Sequence, residues 1–382
     1  MDTTKYTHSE QSRKRAENRY SILRTLQSVR SMKRTELADH CGIRKSSVTS
    51  LVDELLEKKW IRLENPDRPR SPLQMNENVW RIITAELDTG RIIIGEVDLE
   101  GDLKGLTEYK STAMKTRDGM LNELIKYLKE KVKSSKNVLG ISLSVPGVID
   151  PDSEKCISAI NLPDFNDVPL KKLLQDNFDL PVVIENDVRS SLYCSLYLDK
   201  RPEPLQTAIY LDITSGVGSA ILVHGSPCPG SNGAAGEIGH LLAGEESRLC
   251  RCGQRDCLET YSSIPVICEK INEKTGLKLE SSEDIINSIK DHPEIREIID
   301  SSASHIARPL SAMMAALDPE VVILGNQPRT FYEIIIPGLK AELERRLNGP
   351  ATRSLKIEIA KEHSSMRGAA ALLMNQIFSA LY

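Results

Sequence analysis

Three cysteines and one histidine form the densest group of potential metal ligands in the chain. Cys250, Cys252 and Cys257 fall within the eight residues CRCGQRDC, and His240 lies ten residues upstream. Three thiolates and one imidazole make a closed, tetrahedral Cys3His set, which is typical of a structural Zn2+ and leaves no position open for catalysis. Reduced cysteines without a metal are the alternative. The spacing predicts a zinc ion that ties this loop to the segment carrying Glu237.

Polar residues also lie at the ends of short apolar segments. Asn161 lies in AINLPDF, Asn186 and Asp187 end VVIEND, and Glu237 and His240 lie in GAAGEIGH. Open α/β sheets bind their ligands at strand ends. These residues therefore mark a candidate binding site.

Short apolar segments rich in Val and Ile must position these groups. They are VLGISLSVPGVID, LPVVIEND, TAIYLDI, EVVILGN and LKIEIA, and RIIIGEVDLEGDL reads as a strand, a turn and a further strand. Such segments are typical of buried sheet strands. An amphipathic helix is predicted in DGMLNELIKYLKEKVKSS. The pattern after Trp80 predicts an α/β body.

The N-terminal segment has the pattern of a helix-turn-helix. Apolar spacing predicts a first helix over 17–30, a second around 35–40 and a third over about 45–58. Gly42 lies at the tight connection between the last two helices, where a residue tolerant of positive φ is needed. An ordinary three-helix packing module is the alternative interpretation.

The exposed face of the third helix and a following hairpin carry the predicted DNA contacts. WIRL and LQM flank a basic loop, ENPDRPRSP, and predict the two-stranded wing of a winged helix. Short polar and basic side chains at a helix N-terminus suit the major groove of double-stranded DNA. The predicted DNA-binding residues are Arg44, Lys45, Ser46, Ser47, Thr49, Arg68 and Arg70.

Composition and charge agree with two functional parts. A chain of 382 residues has room for two or three domains at about 100–200 residues each. Residues 1–80 carry 16 Lys and Arg against 11 Asp and Glu, a balance of +5, whereas the whole chain has a net charge of −4. No apolar segment has the length of a membrane span or a signal peptide, so we expect a cytoplasmic protein without a membrane partner.

The order of these segments resembles the ROK family of repressors and sugar kinases. The resemblance runs through the winged helix, VPGVIDP, INLP, IENDVRSSLY, GAAGEIGH, CRCGQRDCLE, LDPEVVILG and RGAAALL. Members with a winged helix, such as xylose and N-acetylglucosamine repressors, are sugar-responsive transcription factors, and those without one are mostly sugar kinases. The resemblance implies a two-lobed α/β body, like that of actin and hexokinase, with the sugar held between the lobes.

The resemblance also implies a division of the chain. The winged helix-turn-helix occupies 1–78 and the sugar-binding ROK domain 79–382. Lobe one covers about 79–200 together with a C-terminal helix over about 366–382, and lobe two covers about 201–365.

Site residues carry over from the family by position. The sugar contacts match Asn161, Asn186, Asp187, Glu237, His240 and Glu259. Carboxylates and amides can each bond a pair of adjacent hydroxyl groups. His240 would both ligate the metal and face the sugar, and Asp187 stands where the family's kinases have their general base.

The ATP-binding motifs of the family's kinases are altered. The kinases have Asp-x-Gly-Gly-Thr at the start of the body, where this chain has Glu86 for the Asp and Asp88 and Thr89 for the two glycines. An extra carboxylate repels a triphosphate, and side chains block close backbone approach. The second phosphate loop, Thr214-Ser215-Gly216-Val217-Gly218, keeps two of three glycines. We therefore expect sugar binding without phosphoryl transfer.

The prediction is a sugar-responsive repressor of carbohydrate-utilisation genes that is not an enzyme. It would bind operator DNA as a homodimer or homotetramer and be released by a sugar or sugar phosphate. An active ROK sugar kinase with an added DNA-binding head is the first alternative, and a zinc or thiol sensor is the second.

Overall fold

The computed structural model describes residues 10–199, 201, 203–347 and 356–380. The helices are α1 Glu10–Val29, α2 Arg34–Cys41, α3 Lys45–Glu57, α4 Arg117–Ser134, α5 Leu170–Gln175, α6 Asp187–Tyr197, α7 Glu259–Ser262, α8 Ile264–Thr275, α9 Ser282–Ser288, α10 Glu294–Leu317, α11 Arg329–Arg346 and α12 Ser364–Ala380. The strands are β1 Ile61–Leu63, β2 Leu73–Met75, β3 Arg81–Asp88, β4 Arg91–Asp98, β5 Leu103–Lys110, β6 Val138–Val145, β7 Val148–Ile149, β8 Cys156–Ser158, β9 Asn166–Val168, β10 Val182–Asn186, β11 Ala208–Ile213, β12 Val217–Val223, β13 Ser226–Pro227, β14 Val321–Gly325 and β15 Ile357–Ile359.

The N-terminal head is the predicted winged helix-turn-helix. Gly42 connects α2 and α3 in a left-handed conformation, with φ +64°, which glycine adopts without steric cost. Strands β1 and β2 pair antiparallel and form the wing. The described part of the first helix starts at Glu10, seven residues before the predicted start, because most of the segment ahead of Glu17 is polar and gives little apolar periodicity.

The head packs directly on the body. Helix α1 contacts α12, the C-terminal helix, and the Gln27 side chain, buried in this contact, donates a hydrogen bond to the Leu99 carbonyl oxygen. Trp60 at the base of the wing stacks on Trp80, with ring centroids 5.3 Å apart, and meets the edge of the Phe378 ring. One hydrophobic core therefore runs from the head into the body.

Two five-stranded sheets of the same topology form the body. Their strand orders are β5-β4-β3-β6-β10 and β13-β12-β11-β14-β15. In each sheet the first three strands pair antiparallel and the last two join in parallel. We call the first sheet with its helices lobe one and the second lobe two. The predicted α/β, two-lobed fold class is confirmed.

Helices α6 and α12 fill the space between the two sheets. Helix α12 covers β3 and β6, whereas α6 contacts α12 on one side and β11 and β12 on the other. A Cβ atom at Gly368 would lie 1.6 Å from the Ser190 carbonyl oxygen, so the two helix backbones touch. Helix α12 begins at Ser364, two residues before the predicted start, and residues 381–382 of that prediction lie outside the described residues.

The outer faces of the sheets are covered by the remaining long helices. On β11, Ile209, Leu211 and Ile213 belong to the core beneath α8, α10 and α11, whereas the alternate residues Ala208 and Tyr210 face α6. Helix α4 covers β3 and β4 of lobe one in the same way. Within the described parts of the chain, no helix combines the length and apolar character needed to cross a bilayer.

Candidate functional site

A cleft between the two lobes brings the predicted ligand contacts together. Its walls include all six residues that were predicted to bind the sugar, namely Asn161, Asn186, Asp187, Glu237, His240 and Glu259. Asn186 and Asp187 lie at the junction of β10 and α6, and the Asn186 side chain accepts a hydrogen bond of 2.9 Å from the Arg189 backbone N–H, capping that helix. The end of a buried parallel strand thus delivers both residues to the cleft.

Gly216 brings the side chains of the two lobes near each other. A Cβ atom at Gly216 would lie 3.3 Å from Glu259 Oε2 and 3.9 Å from Asn161 Nδ2. Asn161 Oδ1 is buried and has no hydrogen-bond partner among the described residues. Burial of an unpaired amide oxygen is costly, so a donor from a bound ligand would stabilise this side of the cleft.

Asp187 and Asp212 lie at the floor of the cleft, and the carboxyl group of Glu86 is close to both. Burial raises the pKa of Asp187 well above its ordinary value, and the nearby carboxylates of Asp212 and Glu86 act in the same direction. Burial also raises the pKa of Asp212 to about 7, although a hydrogen bond from Asn326 opposes this shift. The pKa of Glu86 is raised by burial too, while a hydrogen bond from Ser365 opposes it. The floor of the cleft therefore carries more protons near neutral pH than exposed carboxyl groups would.

Arg189 ties the cleft segments of the two lobes together. Its buried guanidinium donates to the Glu185 carboxylate at 2.6 and 2.8 Å and to the Gly233 carbonyl oxygen at 2.9 Å. A longer bond of 3.4 Å reaches the Ile149 carbonyl oxygen. The segment that leads to Glu237 is thus held against lobe one.

The β3–β4 hairpin occupies the place of the first phosphate motif. The Thr89 backbone N–H donates to Asp88 Oδ1 at 2.7 Å, and Arg91 Nε donates to Asp88 Oδ2 at 2.8 Å. The Thr89 hydroxyl donates to the Asn161 carbonyl oxygen at 2.9 Å. The tip of the hairpin is bonded to itself and to the cleft wall.

The predicted metal ligands lie together beside the cleft. One ligand atom from each of His240, Cys250, Cys252 and Cys257 lies within 4.8 Å of all the others. Cys252 Sγ and Cys257 Sγ are 3.7 Å apart, close to the roughly 3.8 Å edge of a tetrahedron with metal–sulfur bonds of about 2.3 Å. The donor set fits a tetrahedral metal ion.

His240 joins the cysteine cluster to the cleft. Its Nδ1 atom is 3.7 Å from Cys250 Sγ, and its Nε2 atom is 4.0 Å from a carboxylate oxygen of Glu237. Glu259 makes a second link, because its Oε1 accepts a hydrogen bond of 2.9 Å from Cys250 Sγ. A change at the cluster would therefore reach two residues of the cleft wall.

The predicted DNA contacts lie on α3 and in the wing loop. Arg44, Lys45, Ser46, Thr49, Arg68 and Arg70 are exposed, and Ser47 is half-buried. Thr49 also donates its hydroxyl to the Lys45 carbonyl oxygen at 3.0 Å. Arg34 and Arg62 pair with Asp53 and Glu77, whereas no ion pair among the described residues includes the basic side chains of this set. These charges are available to a polyanion.

Sequence reasoning missed part of the cleft. Asp212 and Asn326 lie at the ends of the segments TAIYLDI and EVVILGN, so the strand-end rule that identified Asn186 could have identified them as well. Asn326 Nδ2 donates to Asp212 Oδ2 at 2.6 Å. No local signal indicated the hydrogen bond between Glu86 and Ser365, because the partners are 279 residues apart.

Comparison with known proteins agrees with this architecture. Residues 87–376 match the ROK family, and residues 16–67 match the MarR family. A xylose repressor from Caldicellulosiruptor bescii is 26% identical over 394 aligned positions, covering 95% of this chain and 96% of that protein.

Two solved structures share the fold. A ROK family transcriptional regulator described as a homologue of the E. coli Mlc protein superposes with a TM-score of 0.81 at 19% identity, covering 96% of this chain and 98% of that one. A ROK family glucokinase from Streptomyces griseus, in complex with glucose and AMPPNP, superposes with a TM-score of 0.68 at 21% identity, covering 76% of this chain and 98% of that one.

The fold and cleft define a two-lobed α/β protein that carries a winged-helix head. The chain belongs to the ROK family.

Proposed function

We propose that this protein is a sugar-responsive transcriptional repressor that acts in the cytoplasm and is not an enzyme. The observation that carries the proposal is one cleft whose lining includes the six predicted sugar contacts, in a chain that also has a winged helix with an exposed basic face. The xylose repressor matches nearly the full length of both chains, whereas the glucokinase structure covers 76% of this one. In this proposal residues 1–78 bind operator DNA and residues 79–382 bind the sugar.

The charge of the cleft favours a neutral sugar over a sugar phosphate. Asp187, Asp212, Glu237 and Glu259 line the cleft, and no Lys or Arg does so among the described residues. A phosphate group would find no counter-charge in the cleft, and burying an unpaired charge is costly. Hydroxyl groups can donate to these carboxylates and accept from the amides of Asn161 and Asn186.

A Zn2+ ion held by His240, Cys250, Cys252 and Cys257 would supply a rigid cross-link and no chemistry. Because Nδ1 of His240 faces the cysteines, Nε2 would carry the ring proton and point it towards Glu237 and the cleft. His240 would then donate a hydrogen bond to a sugar oxygen.

The packing of the body supports a route from the sugar to the head. Asp187 and Asn186 lie at the start of α6, α6 packs on α12 at Gly368, and α12 packs on α1 of the head. In a homodimer or homotetramer, a shift of one lobe would change the spacing of two heads on a pseudo-palindromic operator. To empty the operator, the sugar must prefer the DNA-incompetent state by several kcal/mol, about 5 kcal/mol for a nearly complete switch.

The hydrogen bonds within the tip of the β3–β4 hairpin argue against the kinase alternative. The Thr89 N–H, which would have to approach a phosphate, is bonded to the Asp88 carboxylate instead. That carboxylate would itself repel the phosphate chain. We therefore expect neither ATP binding nor sugar phosphorylation.

The sugar is tested by thermal shift, because a ligand that binds only the folded state raises the apparent melting temperature. The zinc-loaded protein is heated with D-xylose, D-glucose, N-acetyl-D-glucosamine, D-glucose 6-phosphate or Mg-ATP. We expect a shift with a neutral sugar and none with D-glucose 6-phosphate or Mg-ATP. A shift with Mg-ATP, followed by phosphorylation that Asp187→Asn abolishes, would establish the kinase instead.

DNA binding by the head is tested by fluorescence anisotropy with DNA from the promoter region of the protein's own gene. Lys45→Ala should weaken binding and reduce the slope of log K against log salt by about one phosphate contact. Lys136→Ala, which removes an exposed lysine from the loop after α4, is the matched control and should leave binding unchanged. If saturating sugar left operator affinity unaltered, the coupling of cleft and head would be refuted.

A further inference from the structure

The tip of the β3–β4 hairpin has its Thr89 N–H bonded within the tip, and its Thr89 side chain reaches the cleft wall at Asn161. Asp88 binds both the Thr89 N–H, at 2.7 Å, and the Arg91 guanidinium, at 2.8 Å, and so closes the tip on itself. Gly90 completes the two-residue turn with φ +71°. The Thr89 hydroxyl is bonded to Asn161, outside this closed tip.

The bond between Thr89 and Asn161 acts on the backbone that carries a cleft side chain. Thr89 Oγ1 donates to the Asn161 carbonyl oxygen at 2.9 Å. The loop that contains Asn161 is closed at its base by bonds of 3.0 Å from Ala159 N to Phe165 O and from Leu162 N to Ala159 O. The Leu162 N–H lies in the same planar peptide unit as the Asn161 carbonyl group, so the bond from Thr89 supplies a second anchor, on the carbonyl side of this peptide.

The position of the Asn161 side chain affects the shape of the cleft directly. Its Nδ2 atom lies against Gly216 of lobe two, and its Oδ1 atom is buried without a partner among the described residues. A small rotation of the Asn161 peptide would move both atoms relative to a ligand. Hydrogen bonds weaken steeply with distance and misalignment, so this orientation matters for ligand affinity.

We propose that Thr89 is a positioning residue for the ligand: its hydroxyl holds the Asn161 peptide so that the Asn161 amide meets a sugar hydroxyl. This inference rests on the proposed function. In it, the hairpin that stands at the first phosphate motif braces the sugar-binding wall. Thr89 itself does not touch the sugar, and it acts through Asn161 alone.

Isothermal titration with D-xylose, or with the panel sugar that gives the largest thermal shift, tests the proposal on the full-length zinc-loaded protein. Thr89→Val keeps the shape of the side chain and removes the hydroxyl, whereas Thr89→Ser keeps the hydroxyl. We expect Thr89→Val to weaken sugar binding by about fivefold, since a neutral hydrogen bond contributes only modestly to the net free energy. Thr89→Ser should restore affinity to within about twofold of the wild type.

A matched control separates this effect from a general loss of a surface hydroxyl. Thr107 is exposed on β5, away from the cleft, and Thr107→Val should leave sugar affinity unchanged. Because Thr89 is also exposed, the melting temperature of the sugar-free Thr89→Val protein should match that of the wild type.

A double-mutant cycle with Asn161→Ala then tests whether Thr89 acts through Asn161. In the Asn161→Ala background, Thr89→Val should cause no further loss of sugar affinity, because the two substitutions would remove the same interaction. Wild-type affinity in Thr89→Val, equal losses in the Val and Ser variants, or additive losses in the cycle would each overturn the inference while the proposed function stood. A wild-type protein that binds none of the sugars would overturn the proposed function itself.

Discussion

Replacing Asp212 with asparagine should change how the stability of the protein depends on pH. Asp212 is 2% exposed, and its Oδ1 atom has no hydrogen-bond partner among the described residues. Its Oδ2 atom accepts a bond of 2.6 Å from Asn326 Nδ2, which the amide oxygen of an asparagine could also accept. The substitution therefore removes the titration and keeps the shape and this bond.

The magnitude follows from the pKa of the folded protein. Burial raises the pKa of Asp212 from 3.8 to about 7, so between these values the folded chain keeps a proton that the unfolded chain has lost. The free energy of unfolding then falls by about 1.4 kcal/mol per pH unit as the pH rises, and it stops falling above about pH 7. From about pH 5 to about pH 8 the wild type loses about 2.7 kcal/mol that the variant keeps.

The expected difference is large enough to measure as a melting temperature. A chain of 382 residues has an unfolding entropy of about 0.8 kcal/mol per kelvin near the transition, so about 2.7 kcal/mol corresponds to about 3 °C. The melting temperature of Asp212→Asn minus that of the wild type should increase by about 3 °C from about pH 5 to about pH 8. The asparagine would also remove the repulsion between the Asp212 carboxylate and its neighbours, because Asp212 raises the pKa of Asp187 and Glu86 raises the pKa of Asp212. This effect would add to the increase.

Differential scanning fluorimetry of both proteins across this pH range is the assay. Any cost of the amide that does not depend on pH cancels in the comparison. Asp152→Asn, at an exposed position in the turn before β8, serves as the control and should show a constant difference from the wild type. A difference for Asp212→Asn that stays constant, or that falls as the pH rises, would refute the assignment of a buried carboxyl group with a raised pKa.

Three further predictions concern the packing and the metal. Gly368→Ala should lower the melting temperature strongly, by an amount equivalent to about 3 kcal/mol or more, because its Cβ would lie 1.6 Å from the Ser190 carbonyl oxygen; calorimetry would show this, and a neutral effect would mean that α6 and α12 do not touch here. Phe378→Ala should lower the free energy of unfolding by about 3–5 kcal/mol. It should also shift tryptophan emission to longer wavelengths, since the only two tryptophans of the chain stack beside this ring. Unchanged emission would contradict the packing of the head on the body. Removing the metal with a chelator should release about one zinc per chain, weaken sugar binding and lower the melting temperature; DNA binding that changes without sugar would favour the sensor alternative.

Much of the head could be predicted because its signals are local. Helix spacing, the glycine between α2 and α3, and the two short strands of the wing are read within about 60 residues, and the structure confirms the winged helix. The start of α1 could not be placed from the same signal. Apart from Ala16, the first two turns of its described part are polar, so the apolar periodicity that marks a helix against a core is clear only later in the helix.

The candidate site divides in the same way. Short motifs predicted Asn186 and Asp187 at a strand end and the closely spaced cysteines as metal ligands. In the structure Asn186 and Asp187 line the cleft, and the cysteines lie together with His240. The bond from Thr89 to Asn161 joins positions 72 residues apart, and the bond from Asn326 to Asp212 joins positions 114 apart. No short window along the chain contains both partners of either bond.

Local sequence patterns were sufficient to predict the family, the winged helix, the alternation of strands and helices, and the residue types available for a sugar and a metal. These properties depend on residue type and on spacing over a few turns or strands. Three other properties emerged from the packed chain: the head shares a core with α12, the carboxyl groups of Asp212 and Glu86 are buried near each other, and the β3–β4 hairpin is bonded to the wall containing Asn161. Burial, pKa and long-range hydrogen bonds depend on which distant segments pack together. In this protein the packing of the two sheets on α6 and α12 determines those contacts.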